Sequence, residues 1–410
     1  FYMFKSLSLK VIIFGFIFTF FSSFGQSFFL GLFNSSLRNE LNITHGQFGT
    51  IYAGATICSS LVLVWFGKKI DDIKLFKYSL IVIFILFFSS VFFSFISNIY
   101  FLVIAIFLMR FSGQGLMSHT SSTTISRYFN RRRGRALSGI WFGLSSAEFI
   151  LPVMVVFLLN IFSWQTIWHF ISVIIILILP SVVFYTIKNI TFDSRESSNF
   201  DQSQKNFTET KNWKRSEVLK DFKFYIILLN MLAMPWIVTG VFIYQSFISE
   251  SKLWGSYVIP QSFMIYSITS ILTLISSGFL VDKFTSRKLI PYMNIPLLLG
   301  LVILYIYDFK YSAFLFFGLM GISNGLSNVL GSSTWAEIYG VRFLGSIRAL
   351  TTAFMVFSTA FGTAIFGIFI DNGFSIEFIS LVSIAYISLS LFALILIKRY
   401  VEPVIITKKT

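Results

Sequence analysis

Long apolar runs separated by short polar segments fill most of this 410-residue chain. A helix that crosses a lipid bilayer needs about 20 mostly apolar residues, and twelve runs come close to or exceed that length. They lie near residues 9–33, 47–66, 78–97, 99–126, 136–160, 165–187, 222–248, 256–281, 290–307, 311–335, 347–370 and 374–397. The joins at Ser97-Asn98 and Asn372-Gly373 are so short that the flanking spans must be antiparallel. The pattern therefore predicts an all-α membrane protein of twelve transmembrane helices.

The one long polar segment runs from Lys188 to Lys223, near the middle of the chain. It is rich in Ser, Asn, Lys, Asp and Glu, a composition typical of a mobile linker. We therefore expect two pseudo-symmetric six-helix bundles, residues 1–188 and 222–410, joined by a cytoplasmic linker over residues 189–221. Only 12% of the residues are charged, against about 25% in soluble proteins, so no sizeable soluble domain is expected.

The basic residues are distributed unevenly along this pattern. Of the 32 Lys and Arg residues, Arg38, Lys252 and Lys310 fall on one side of the predicted membrane and Arg110 falls inside a span. The others lie on the opposite side, which is typical of cytoplasmic loops and termini. We expect a multi-pass protein of the inner (plasma) membrane with both termini in the cytoplasm. The net charge of +15 then reflects topology and attraction to anionic lipid, and we expect no nucleic-acid partner.

The two predicted halves resemble each other at equivalent points. Gly67-Lys-Lys-Ile-Asp-Asp follows span two, and Gly278-Phe-Leu-Val-Asp-Lys follows span eight. Arg-Ala-Leu begins span five at Arg135 and span eleven at Arg348. The two matches have nearly the same separation, which indicates an internal duplication. Repeated halves around a central linker are typical of secondary transporters.

The loop after span eight carries a known pattern. Residues 278–288 read G-F-L-V-D-K-F-T-S-R-K, which resembles the signature loop of the major facilitator superfamily, G-x-L-x-D-R/K-x-x-x-R/K-R/K. The copy after span two keeps the Gly and Asp but has Lys and Asp where the pattern has Leu and a basic residue. The resemblance implies a gating role for six residues, with a plain basic loop as the alternative. They are Gly67, Asp71, Gly278, Asp282, Lys283 and Arg287.

Span four adds to the resemblance. Its sequence Arg110-Phe-Ser-Gly-Gln-Gly is similar to the R-x-x-x-G-x-G pattern of the superfamily, with the glycines one residue early. Together with the Arg-rich loop that follows, it resembles the branch of bacterial monocarboxylate and oxalate/formate carriers. Span five lacks the G-x-x-x-G-P core of drug-exporting members, because Ala147-Glu148 stands in its place.

Two ionisable residues lie near the predicted bilayer midplane. At 1.5 Å per residue, Arg110 in span four lies about 16 Å deep and Glu148 in span five about 20 Å deep. An ionised side chain there costs roughly 2.5–3.5 kcal/mol, so each requires an explanation. One interpretation is an ion pair between neighbouring spans that fixes their packing. The other is a substrate-anion site at Arg110, with Glu148 as counter-charge or proton acceptor.

Further polar residues within the spans are candidates for substrate or proton binding. His119 in span four is placed to relay a proton, with simple packing as the alternative. Pro235 frees a backbone carbonyl of span seven and predicts a kink beside a cavity, with a packing kink as the alternative. The candidate substrate contacts, which are equally compatible with hydrogen bonds between helices, are Gln26, Gln114, Trp236, Tyr244, Gln245 and Asn324.

The sequence predicts a transporter and not an enzyme. It contains no Walker loop, no Cys/His metal cluster and no Gly-x-Ser-x-Gly elbow, so we expect no cofactor and no catalytic residue. We expect a monomeric carrier that moves a small solute by alternating access. An organic anion such as a carboxylate, coupled to a proton or a counter-solute, is the favoured substrate. The alternatives are an exporter of amphiphilic drugs, a carrier of neutral metabolites and, from another class, a membrane receptor built on the same fold.

Overall fold

A computed structural model describes residues 2–70, 72–128, 133–188, 211–340, 343–397 and 401–402 of the chain. Within these ranges the secondary structure is helical, without strands. The long helices are α1 (Tyr2–Ser22), α2 (His45–Gly67), α3 (Leu75–Ser94), α4 (Ile99–Met109, continued by Arg110–Met117 and Ser118–Tyr128), α5 (Arg133–Leu159), α6 (Trp164–Ile187), α7 (Phe222–Ile243), α8 (Val258–Phe284), α9 (Ile295–Ile306), α10 (Tyr311–Tyr339), α11 (Leu344–Asp371) and α12 (Ile376–Ile397).

The number of membrane-spanning helices agrees with the sequence pattern. In the described residues, 11 helices are long and apolar enough to cross a membrane. The first span adds a twelfth when its two limbs, Leu9–Gly25 and Ser27–Leu41, are taken together across a bend of 42°. The predicted all-α membrane fold is therefore confirmed.

Polar residues at the joins set where several helices begin. Thr44 caps α2 in a reciprocal pair of hydrogen bonds with Gln47. Asn98 accepts a hydrogen bond from the backbone N–H of Phe101 at the start of α4. Asp221 does the same for Lys223 at the start of α7. Each cap satisfies a backbone donor that would otherwise lack a partner in the first helical turn.

The predicted span 222–248 differs from the helix that forms there. Pro235 lies inside α7 without ending it, and α7 stops at Ile243. Tyr244 leaves helical geometry with φ −103° and ψ 25°, and a short helix, Gln245–Ser251, follows. The prediction placed the irregularity of this span at Pro235. The helix is instead interrupted at Tyr244, whose side chain contacts other helices.

The helices pack as two bundles. In the first half α1 lies against α4, α5 and α6, and α3 lies against α6. In the second half α8 packs on α10, α7 on α11 and α12, and α9 on α10 and α12. The halves meet mainly where α2 packs on α11 and α5 packs on α8. We call the end of the bundle that holds the central linker the linker end, and the opposite end the far end.

Each end of the second half has its own contacts. At the far end Lys252 is 3% exposed and forms ion pairs with Asp308 at 2.5 Å and Glu377 at 2.7 Å. These ion pairs connect the segment after α7, the segment after α9 and the start of α12. At the linker end the last part of the predicted linker, residues 211–221, packs on this half. There the Trp213 backbone N–H donates to Tyr339 O at 3.0 Å. Residues 189–210 of the linker lie outside the described part of the chain.

Candidate functional site

The first span is broken beside α4. After α1 a 3₁₀ turn covers Ser23–Gly25, and Gln26 is extended with φ −83° and ψ 153°. Gly25 packs so closely on α4 that a Cβ there would lie 2.2 Å from Met109 O and 2.6 Å from the backbone nitrogen of Gln114. Gly113 faces it, and a Cβ added to Gly113 would lie 2.6 Å from the Gly25 nitrogen. Only glycine therefore permits this crossing of two backbones.

The crossing also contains an irregular stretch of α4. Arg110–Met117 form a π-helix, a widened helix that occurs often at functional sites. Its first residue, Arg110, is 2% exposed, and Nη1 donates to Gly25 O at 3.1 Å and to Ser27 Oγ at 3.4 Å. The guanidinium carbon lies 5.2 Å from the centroid of the Tyr52 ring. The arginine thus joins α4 to the broken part of the first span and to α2.

The ion pair considered between Arg110 and Glu148 is not present. Both residues are described, and no ion pair joins them in the described part of the chain. The two side chains have different neighbours: Arg110 bonds to Gly25 and Ser27 of the broken first span, whereas Glu148 lies on α5, which packs against α8. Thr19 of α1 donates to Ile140 O of α5, whereas Arg110 bonds to the next turns of the first span. The interpretation of a packing ion pair was therefore wrong.

Glu148 occupies a different environment from Arg110. It is 7% exposed on α5, the helix of the first half that packs against α8. Its charge interacts electrostatically with the Tyr266 hydroxyl of α8, across the boundary between the halves. No hydrogen bond or ion pair to its carboxylate occurs within the described residues. One helix further, Asn324 of α10 donates to Ser270 Oγ of α8 at 2.9 Å.

Five hydrogen bonds connect the two halves within the described residues, and all of them lie towards the far end. We call the residues that make four of them the far-end gate. Asn34 Nδ2 donates to Ile243 O at 2.6 Å, and Gln245 Nε2 donates to Phe28 O at 3.0 Å. The other two bonds are Tyr244 Oη to His45 O at 2.9 Å and the Gly46 backbone N–H to Asp371 Oδ2 at 2.8 Å.

Close backbone contact accompanies these bonds. A Cβ on Gly49 would lie 2.2 Å from Tyr244 Oη, and one on Gly367 would lie 2.4 Å from His45 O. Small residues allow helices to approach closely in a membrane, and polar groups can then form hydrogen bonds across the helices. The far-end gate is therefore closed in this structure. The fifth bond, from Asn160 Nδ2 to Tyr257 Oη, joins the halves at the outer edge of the same end.

The candidate residues of the seventh span are divided between two places. Tyr244 and Gln245 belong to the far-end gate. Trp236 instead packs inside the second half, where its ring lies 5.4 Å from Tyr386 and 6.1 Å from Phe366. The structure therefore separates Trp236 from Arg110 and Glu148, while Gln26 and Gln114 lie at the crossing with Arg110.

The residues with a predicted gating or relay role lie at the linker end. His119 Nε2 lies 3.2 Å from Gly67 O, so this side chain is bonded to the end of α2. A Cβ added to Gly278 would have no neighbour within 4 Å, and Lys283 is exposed. The backbone N–H of Arg287 donates to Glu337 of α10 at 3.1 Å. Two further members of this set, Asp71 and the side chain of Asp282, fall outside the described part.

Several residues of the site were missed by the sequence interpretation. His45 and Asp371 of the far-end gate lie at the ends of predicted spans, where polar residues are ordinary. Gly49 on α2 and Gly367 on α11 could have been found from the sequence, because glycines inside two spans indicate that these helices approach each other closely. Tyr52 and Gly25 owe their importance to the crossing with α4, which no local pattern indicates.

Comparisons with known proteins agree with this architecture. Residues 15–309 match the family described as Major Facilitator Superfamily. No curated protein matches the sequence. The chain is similar in structure to the nucleoside transporter NupG, with a TM-score of 0.72, 13% identity, and coverage of 96% of this chain and 99% of that one. It is also similar to a bacterial homologue of the human lysosomal transporter Spinster in an inward-facing, occupied conformation.

The second similarity has a TM-score of 0.69 and 12% identity, and it covers 96% of this chain and 97% of that one. At such identities the two structures establish the fold alone. The family match covers more than half of the chain, and the fold is that of transporters that work by alternating access within a lipid bilayer. The chain belongs to the Major Facilitator Superfamily and is a transporter of small molecules, not an enzyme.

Proposed function

We propose that this transporter moves a small organic anion together with a proton. The observation that carries the proposal is a pair of buried, oppositely charged residues, Arg110 and Glu148, neither of which has an ion-pair partner among the described residues. A bound anion would neutralise Arg110, and a bound proton would neutralise Glu148. The resemblance of span four and its loop to carriers of monocarboxylates supports the same substrate class.

The energetics favour this interpretation of the two charges. An uncompensated charge near the bilayer centre costs roughly 2.5–3.5 kcal/mol. The bonds of Arg110 to Gly25 O and Ser27 Oγ and its contact with Tyr52 offset part of that cost, but they leave the guanidinium with its full positive charge. Arg110 Nε is buried without a partner, so a donor is still free to bind a carboxylate.

The closed far-end gate fits one state of the transport cycle. We place the linker end in the cytoplasm, from the excess of Lys and Arg on that side. The structure then corresponds to a state closed towards the outside, and the gate bonds must break when the opposite state forms. We propose that the protein works as a monomer, since each half packs against the other within one chain.

Binding of an anion is tested by thermal denaturation of the purified full-length protein. The ligands are short carboxylates, each beside its uncharged amide, and the proteins are wild type, Arg110→Lys and Arg110→Gln. At a hundredfold excess over Kd a ligand stabilises the folded state by about 2.7 kcal/mol. We expect a carboxylate, and not its amide, to stabilise wild type, with the effect retained in part by Lys and lost with Gln. Equal stabilisation of wild type and Arg110→Gln would exclude an anion site at Arg110.

Proton coupling is tested in proteoliposomes with the carboxylate that this screen identifies. Glu148→Gln keeps the size of the side chain but cannot release a proton. We expect the variant to lose accumulation driven by a pH gradient and to retain exchange of labelled for unlabelled solute, because exchange requires no net proton movement. Accumulation at the wild-type level would show that Glu148 does not carry the proton.

A second candidate is a neutral, hydroxyl-bearing substrate. It is favoured by the bonds that Arg110 Nη1 already makes within the first half, and the structural similarity to the nucleoside transporter NupG points the same way. In this case uridine or adenosine, and no carboxylate, would stabilise the protein. Arg110→Gln would then respond to the nucleoside as wild type does.

A further inference from the structure

An open cavity of about 690 Å³ lies at the far end, beside the far-end gate. We call it the far-end cavity. Its walls come from both halves: the end of the first span, the end of α5, and the segment from the short helix after α7 to the start of α8. Cavities of about 300–1,000 Å³ are typical of sites for small molecules.

Most of the lining surface is apolar, from residues such as Leu32, Val156 and Ile259, and its polar part consists mainly of serines. Ser35 and Ser36 come from the first half, and Ser246, Ser249 and Ser256 come from the second. Ser249 Oγ donates to Gly255 O at 2.9 Å. The other four hydroxyls have no hydrogen-bond partner among the described residues, so they are available to donate to or accept from a bound molecule.

The charge of the lining selects the class of ligand. Glu250 is the one ionisable residue among the residues that line the cavity, and no described basic side chain forms an ion pair with it. Arg38 interacts with it at longer range, while Arg38 Nε is bonded to Asn34 Oδ1 at 2.8 Å. A carboxylate beside several free hydroxyls favours a molecule that carries an amino group and hydroxyl groups and disfavours an anion.

One residue of the far-end gate, Gln245, also forms part of the cavity wall. Gln245 lines the cavity and donates to Phe28 O across the halves and to Phe242 O within its own half. A molecule in the cavity therefore lies against a bond that exists while the gate is closed. Any ligand that binds one state of an equilibrium more tightly than the other shifts the equilibrium towards that state.

We propose that the far-end cavity is a second binding site, separate from Arg110 and Glu148, for an amino-bearing polyol. The serine hydroxyls bind the hydroxyl groups, and the Glu250 carboxylate binds the ammonium group. Because both halves contribute to the walls, occupancy stabilises the closed far-end gate. The site does not depend on the nature of the substrate bound near the bilayer midplane.

The test uses the full-length protein with its one cysteine removed, Cys58→Ser, and a reporter cysteine introduced by Leu253→Cys, at an exposed lining residue with no assigned role in binding. Reaction with a membrane-impermeant maleimide is followed with D-glucosamine, D-glucose or D-glucuronate, three ligands of nearly equal size, below neutral pH. We expect glucosamine to slow labelling at least threefold and glucuronate to leave it unchanged. Glu250→Gln, an isosteric change at an exposed residue, should remove the protection.

Matched controls separate this site from other effects. Ser97→Cys, in an exposed far-end join away from the cavity, should label at the same rate with and without glucosamine. Arg110→Gln should leave the protection of the reporter intact, which keeps this result independent of the anion proposal. Equal protection by all three sugars, protection that survives Glu250→Gln, or no protection would overturn the proposal. So would protection by phosphatidylethanolamine vesicles without sugar, because the occupant would then be a lipid headgroup.

Discussion

The hydroxyl group of Tyr244 in the far-end gate allows a quantitative prediction of how often the far end opens. Tyr244 Oη lies 2.9 Å from both His45 O of the first half and Thr363 O of the second half. Tyr244→Phe removes this donor and keeps the ring, which packs against His45 and Phe366. We expect the variant to fold normally and to spend more time with the far end open.

The size of the effect follows from the bond that is lost. A hydrogen bond contributes about 0.5–1.5 kcal/mol net, and the hydroxyl has a single proton that the two carbonyls share. When the far end opens, the hydroxyl can still donate to Thr363 O within its own half, so only the share of the bond that reaches His45 O favours the closed state, and we assign about 0.5 kcal/mol to it. Since about 1.4 kcal/mol corresponds to a tenfold change in an equilibrium constant, the population of the open state should rise about twofold.

The assay is the labelling rate of Thr363→Cys in the Cys58→Ser background. Thr363 is buried at the gate, so we expect it to become accessible to an impermeant maleimide when the far end opens. The matched control is Tyr386→Phe, because the Tyr386 hydroxyl donates to Leu229 O within the second half. We expect a rise of about twofold with Tyr244→Phe and no change with Tyr386→Phe. An unchanged rate with Tyr244→Phe, or an equal rise in both, would refute a gating role for this bond.

Two further predictions concern packing and stability. Gly25→Ala would place its Cβ 2.2 Å from Met109 O. We therefore expect overpacking to lower the free energy of unfolding by about 1–3 kcal/mol and to lower the melting temperature. The control Gly54→Ala, at a residue with open space around it, should melt like wild type. Lys252→Met removes the buried charge that joins two carboxylates, and we expect a loss of about 1.5–3 kcal/mol in thermal stability. Lys310→Met, at an exposed residue, should change stability little, and an equal loss in both would contradict the assignment.

The spans were predictable because each is a local property of the sequence. A helix that crosses a bilayer satisfies its own backbone hydrogen bonds, so an apolar run of sufficient length is almost enough to specify it. The predicted run 165–187 matches α6 at Trp164–Ile187, and 374–397 matches α12 at Ile376–Ile397. The prediction 222–248 failed at Tyr244, where contacts with His45 and Thr363 decide the end of the helix, and the prediction 9–33 missed the break at Gln26 and the continuation of the first span to Leu41.

The sequence by itself determined that this protein lies in a lipid bilayer, that about twelve helices cross the bilayer and which superfamily the chain belongs to, because hydrophobic length and a short loop pattern suffice for each. It also identified Arg110 and Glu148, since a charge inside an apolar run stands out without any knowledge of its neighbours. Only the tertiary structure decided that these two residues do not form an ion pair, that Tyr244 and Gln245 bond across the halves at the far end and that Trp236 packs inside the second half. These facts depend on which helices become neighbours, and in a membrane that choice rests on small residues and single hydrogen bonds distributed over distant parts of the chain.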